Sequence, residues 1–166
     1  DTRGDVIAMW NGKVQAILLE PQEGHGLWNG KEVFGILHKS GIGWQGPIAV
    51  LTRATIRLSK AKSFWKHVDS VASQMATAEG FVTSYGIGEI PFIKQATFSV
   101  WQSKQSMQDF AYKLPKHKEV VRKTHQQKWY SEDMFVRFRL LKVWNLPGLE
   151  AVVAASTAAS SDLSGE

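Results

Sequence analysis

His117 is the residue of this chain best placed to do chemistry. Met107, Phe110, Leu114, His117, Val121 and Thr124 recur at three- and four-residue steps. On a helix they share one face, so the imidazole points with an apolar stripe. An inward-facing imidazole has two uses. It can ligate a cofactor metal such as a haem iron, or it can be a buried side chain bonded to a carbonyl or carboxylate. The pattern leaves both open. The other histidines are less well placed. His125 is flanked by Gln126, Gln127 and Lys128 and should lie at the surface. His67, beside Val68, reads as the flank of a helix, and His25 and His38 fall in loops.

Other chemistry is largely excluded. The chain has no cysteine, which removes disulfides, thiolate nucleophiles, zinc knuckles, iron–sulfur clusters, thiolate-ligated haem and c-type haem attachment. It is weakly consistent with a reducing compartment. There is no HExxH pair, EF-hand loop, nucleophile elbow or phosphate loop. Glu132-Asp133 reads as solvated loop. Glu89 is the one acid inside a motif-like stretch, Gly86-Ile87-Gly88-Glu89-Ile90-Pro91. Trp129-Tyr130 could close over a ligand or cap one end of a core.

These residues need a scaffold, and the patterning supplies one. Ile48–Leu58 alternates as a half-buried strand. Ser59 is a candidate cap for a helix over Ala61–Ala76, whose stripe is Phe64, Val68, Val71, Ala72 and Met75. Phe81–Ile90 and Gln95–Trp101 read as strands around Pro91. Ser103 caps a second helix, which carries His117 and is interrupted by Pro115. Met134–Trp144 is the last strand. The order βαββαβ predicts an α+β, ferredoxin-like antiparallel sheet with two helices on one face.

At 166 residues the chain reads as one domain with tails. Residues 1–46 are an irregular, glycine-rich extension, with a hairpin around Asn11-Gly12. Residues 47–146 are the ferredoxin-like domain. Residues 147–166 are a low-complexity Ala/Ser-rich tail, which by itself should be flexible. The alternation places Ala96, Phe98, Val100, Val136, Phe138 and Leu140 under the helices. Arg53, Arg57, Gln95, Arg137 and Arg139 then lie on the other face. Such a face would be solvated, closed against a second copy in a dimeric α/β barrel, or anion-holding.

Ten Lys/Arg against four Asp/Glu lie between Lys104 and Lys142, within a net charge of +5. That bias favours an anionic partner, or it is a solvated helix face. Nucleic acid is discounted, because the strand Gln95–Trp101 lacks the basic-Gly-aromatic pattern of an RNA-binding sheet. No apolar stretch approaches the ~20 residues that cross a bilayer. The first residue is Asp1 rather than Met, as expected of a processed chain or a fragment.

Several ordered blocks resemble one family. They are Leu51-Thr52-Arg53-Ala54-Thr55-Ile56-Arg57, Phe64-Trp65, Gly86–Pro91 and Gln95–Trp101, then His117, Trp129-Tyr130-Ser131-Glu132 and Phe135-Val136-Arg137-Phe138, with Trp28-Asn29-Gly30 upstream. Over roughly residues 28–146 this resembles spheroidene monooxygenase, the acyclic carotenoid ketolase. The resemblance implies haem-dependent oxygenation of a carotenoid or similar polyene at a photosynthetic membrane. His117 would be the axial ligand of haem b. Arg53 or Arg137 could pair with a propionate only if their strand face were the haem side, and the alternation places them opposite the helices. It implies a location peripheral to that membrane, on the plastid stroma/thylakoid side or the bacterial cytoplasmic side, without a span. The alternative is a non-catalytic relative, a small peripheral subunit of a photosynthetic membrane complex such as a photosystem. That subunit would dock through its tails and a basic helix with Lys113, Lys116, Lys118 and Lys123. A carotenoid or other hydrophobic pigment and a homodimer partner are compatible with either reading.

Overall fold

A computed structural model describes residues 4–10, 13–35, 44, 46–113 and 128–162. The elements are β1 (Gly4–Trp10), β2 (Lys13–Gly26), β3 (Ile48–Ile56), α1 (Ala61–Ala76), β4 (Phe81–Ile90), β5 (Lys94–Trp101), α2 (Lys104–Lys113), β6 (Tyr130–Trp144) and α3 (Pro147–Asp162). The strands form one antiparallel sheet in the order β1-β2-β6-β3-β5-β4. Its inner part, β6-β3-β5-β4, is the ferredoxin-like arrangement. α1 and α2 are the two crossovers and pack on the same face.

The expected hairpin is present, with Trp10 opposite Lys13 across positions 11 and 12. β2 runs on to Gly26 and pairs with β6 from Ala16 to Gly26. The extension is therefore part of the sheet. Ser103 caps α2 as expected, its Oγ accepting the Ser106 N–H at 3.1 Å. Ser59 does not cap α1. A 3-10 turn over Leu58–Lys60 intervenes, and α1 starts after Lys60 with no side-chain cap. Gly80 has φ +72, and a Cβ there would lie 2.3 Å from Ser106 Oγ, so only glycine both turns the chain and admits α2.

The assignment of faces is corrected by the pairing. Leu51 lies opposite Phe98 on β5 and Val136 on β6, whereas Val50 lies opposite Ser99 and Arg137. Ile48, Val50 and Trp101 meet Met107 and Phe110 of α2 and Val71 and Met75 of α1. Phe98, Val100, Val136, Phe138 and Leu140 therefore face away from α1 and α2. Gln95, Arg137 and Arg139 are on the helix side, and Arg53 is on the other side. That second face is not polar. It holds the larger apolar cluster, covered by the chain's own Trp28, Phe34, Leu146, Leu149 and Val153. The alternation of β3 holds, but β5 and β6 pair with it in a register that sets Phe98 and Val136 beside Leu51 rather than Val50, and alternation within one strand does not give that register.

The Ala/Ser-rich tail is also corrected: it is helical over Pro147–Asp162. Alanine is the strongest helix former and Pro147 occupies a favourable first position. Leu149 anchors the helix in the second core. His117, Pro115, His125, His38 and the glycines at 41 and 43 lie outside the described residues.

Leu19 on β2 is 1% exposed within that core. Leu19→Ala should cost about 2–5 kcal/mol, read as one shifted urea transition. A separate early transition would show instead that the extension folds apart from the sheet.

Candidate functional site

Four of the resembling blocks, those holding Trp28-Asn29, Arg53, Glu89 and Glu132, meet at Arg53. Its side chain is 0% exposed, and a buried guanidinium needs partners. Nε donates to Glu89 Oε1 at 2.6 Å and Nη1 to Glu132 Oε1 at 2.6 Å. Nη2 donates to Asn29 Oδ1 at 3.0 Å and to Glu89 Oε2 at 3.3 Å. The guanidinium carbon lies 5.0 Å from the centre of the Trp28 ring. Asn29 and Gly30 have φ of +51 and +74 in the tight turn from Trp28 to Lys31, a conformation that Asn-Gly adopts readily. The turn aims two N–H groups at Glu132, from Asn29 at 2.9 Å and Gly30 at 2.6 Å. Lys94 Nζ donates to Asn29 Oδ1 at 2.7 Å. Glu132 is thus no solvated loop acid. It sits on β6 and receives the turn and Arg53 together.

The electrostatics follow the contacts. The hydrogen bond to Glu89 is the main reason that Arg53 is raised above its usual pKa; burial opposes it and Glu132 adds to it. Glu89 is lowered, chiefly by Arg53. For Glu132 burial is the largest influence and pushes upward. The Gly30 and Asn29 N–H groups and Arg53 outweigh it and hold the carboxyl below its ordinary value. All three guanidinium nitrogens already donate within the chain, so Arg53 is a clamp rather than a receptor for a propionate.

The helix side offers the more open surface. Phe135, Thr52, Thr97 and Gly86 form one row across β6, β3, β5 and β4. Thr52 and Thr97 are exposed although they stand on inner strands. A Cβ on Gly86 would meet nothing within 4 Å. α1 has no buried residue, and Phe64, Val68, Val71 and Met75 are only half-buried. Trp129, 0% exposed, closes the end of this layer. It meets Phe64 edge-on at 6.3 Å and His67 at 5.4 Å. His67 Nδ1 is 2.8 Å from the Ser63 carbonyl. A carbonyl only accepts, so the proton is on Nδ1.

Further along β6, Glu23 pairs with Arg137 and with Lys104 at 3.0 Å, and Arg139 reaches Glu20 at 3.9 Å. Arg137 also packs over Phe135 and Arg139 over Trp44. Part of the basic excess seen in sequence is therefore answered by acids of β2. A groove of about 460 Å³ lies between β4 and α3, floored by Thr83 and Tyr85 and walled by Leu146, Pro147, Leu149 and Val152. It has no charged side chain in its lining.

The expected ligand His117 lies outside the described residues. Among the described residues no group of three His, Cys, Asp or Glu could hold a metal. The described histidines are exposed (His25) or hydrogen-bonded on the flank of α1 (His67). Under α2 the space is filled by Trp101, Met107 and Phe110. No reaction step follows from the described residues by themselves. Among the described residues no helix is long and apolar enough to cross a membrane.

Comparison with solved structures places this architecture in the ferredoxin-like α+β class. A candidate monooxygenase from Fusobacterium nucleatum superposes with a TM-score of 0.55 at 15% identity, over 84% of this chain and 57% of that one. A Mycobacterium tuberculosis protein does so with a TM-score of 0.52 at 11% identity, over 58% of this chain and 96% of that one. No family model matches the chain. Curated proteins are more specific. Spheroidene monooxygenase of Cereibacter sphaeroides is 33% identical over 148 residues, 88% of this chain and 45% of the relative. That of Rubrivivax gelatinosus is 36% identical over 123 residues, 74% of this chain and 46% of the relative. The chain is a relative of the spheroidene monooxygenases and spans about half the length of the curated relatives it matches.

Arg53→Met would leave two carboxylates facing a buried site without their cation, at a cost of about 3–5 kcal/mol in urea unfolding. The wild type should also lose stability in acid. Glu89 and Glu132 are lowered in the folded chain. Their contribution is whole above the ordinary carboxylate pKa of about 4.3 and is lost as pH falls through the lowered values. Arg53→Met should flatten that acid limb, and an unchanged limb would show that the clamp is not its source.

Proposed function

We propose that this chain is a monooxygenase-like unit that acts on a carotenoid or similar polyene at a photosynthetic membrane, with haem b held through His117. The observation that carries the reading is the 32–36% identity to three curated spheroidene monooxygenases. The geometry gives it a physical basis. Four of the resembling blocks are joined by the Arg53 clamp, and the helix side keeps an open row at Thr52, Thr97 and Gly86. Bound haem would supply oxygen activation, which is cofactor chemistry. The chain's part would be to orient an apolar substrate and keep water from it. The uncharged lining of the groove between β4 and α3 suits such a substrate.

Purified protein supplied with haemin should show a Soret band. His117→Ala should abolish or shift it, while His67→Ala should leave it in place. No band, or an unchanged one in His117→Ala, rejects haem ligation at that residue and favours the non-catalytic peripheral subunit.

A further inference from the structure

The end of the sheet where β3 stops and β4 turns into β5 carries an apolar tip inside a basic collar. Leu58 is 74% exposed and Phe92 67%, with Ile90 also exposed. Phe92 is in a turn closed by the Ile93 N–H on the Ile90 carbonyl, at 3.1 Å. Pro91 holds its second position, and Phe92, at the third, has φ +62. That position favours glycine, and a bulky side chain there is strained. The strain is fixed by Trp65, whose Nε1 donates to the Phe92 carbonyl at 3.3 Å and whose ring meets Phe92 edge-on at 5.8 Å. A strained ring that is held on one side by Trp65 and is otherwise exposed points to a contact from outside the chain.

The charge around the tip indicates what meets it. Residues 57–68 contain Arg57, Lys60, Lys62 and Lys66 and no acid. Arg57, Lys62 and Lys66 are exposed. The tip itself, Ile90-Pro91-Phe92-Ile93, is uncharged and is followed by Lys94. The acids nearest in sequence to the turn and to β6 are Glu89 and Glu132, and Arg53 holds both; Asp133 is exposed. Trp and Phe at the level of headgroups, with Lys and Arg around them, are the pattern of a surface that dips into an anionic leaflet. Each basic residue near such a surface adds about 1 kcal/mol of attraction.

We propose that this end docks on an anionic lipid bilayer, with Phe92, Ile90 and Leu58 entering the interface and Arg57, Lys60, Lys62 and Lys66 meeting headgroups. The inference rests on the membrane part of the function proposed above. It places the contact at the start of α1 and the β4–β5 turn, not on the basic stretch from Lys104 to Lys142.

The test is co-sedimentation of the full chain with phosphatidylcholine vesicles made with or without phosphatidylglycerol. Binding should require phosphatidylglycerol and weaken with salt. Phe92→Gly suits the turn, so the fold should persist, and affinity should drop about tenfold. Lys62→Glu with Lys66→Glu should abolish binding, whereas Lys142→Glu, at the far end of β6, should not. Tryptophan emission should shift to the blue on binding, and the shift should be lost in Trp65→Phe. Equal binding of all variants, or none by the wild type, overturns the proposal. So does a change of oligomeric mass in Phe92→Gly by light scattering, which would assign the tip to a second copy. The Soret measurement on the same variants is independent of vesicles, so failure here is distinguishable from failure of haem ligation.

Discussion

The guanidinium of Arg53 is the constraint on which the described architecture turns. A cation taken wholly out of water is tolerated only if its donors are met. Glu89 from β4, Glu132 from β6 and Asn29 from the amino-terminal segment meet them. Three parts of the chain, far apart in sequence, must therefore arrive together. The Trp28–Lys31 turn is fixed twice, through Asn29 Oδ1 on Arg53 and through two N–H groups on Glu132. The segment with Trp28 and Phe34 is thereby held over the second core. Buried ion pairs are poor sources of net stability, but removing one partner is costly, so the node holds its three segments in one arrangement.

That arrangement gives the sheet two unlike sides. Away from α1 and α2 it is an apolar core covered by the amino-terminal segment and α3, with a groove left between β4 and α3. Toward α1 and α2 it is packed at Trp101 and open at the row through Thr52, Thr97 and Gly86. Small side chains at Thr52, Thr97 and Gly86, beside a helix with no buried residue, leave that part of the surface open. Phe92, in the β4–β5 turn, is a bulky residue at positive φ.

Much of the scaffold was legible in the sequence. The bounds of α1 and β4 match the periodicity, because amphipathic stripes and alternation are local properties. Glu89 stood out as an acid in a motif. Glu132 did not, because an acid beside Asp133 at the start of a strand looks like solvation until its partner is known. The faces of β5 and β6 were assigned the wrong way round for the same reason. The tail was read from composition as flexible, whereas alanine's helix propensity together with one anchor, Leu149, makes it a helix.

Sequence by itself determined the order of strands and helices, the kinship with spheroidene monooxygenases and the exclusion of cysteine chemistry. Each is written in local pattern or in residue identity. Tertiary structure decided which side of the sheet each residue serves, that Arg53 is a clamp, and that Arg137 and Arg139 of β6 turn toward acids of β2. Those facts depend on register. A strand has a period of two, and only its neighbour's pairing tells which of two apolar faces lies beneath the helices.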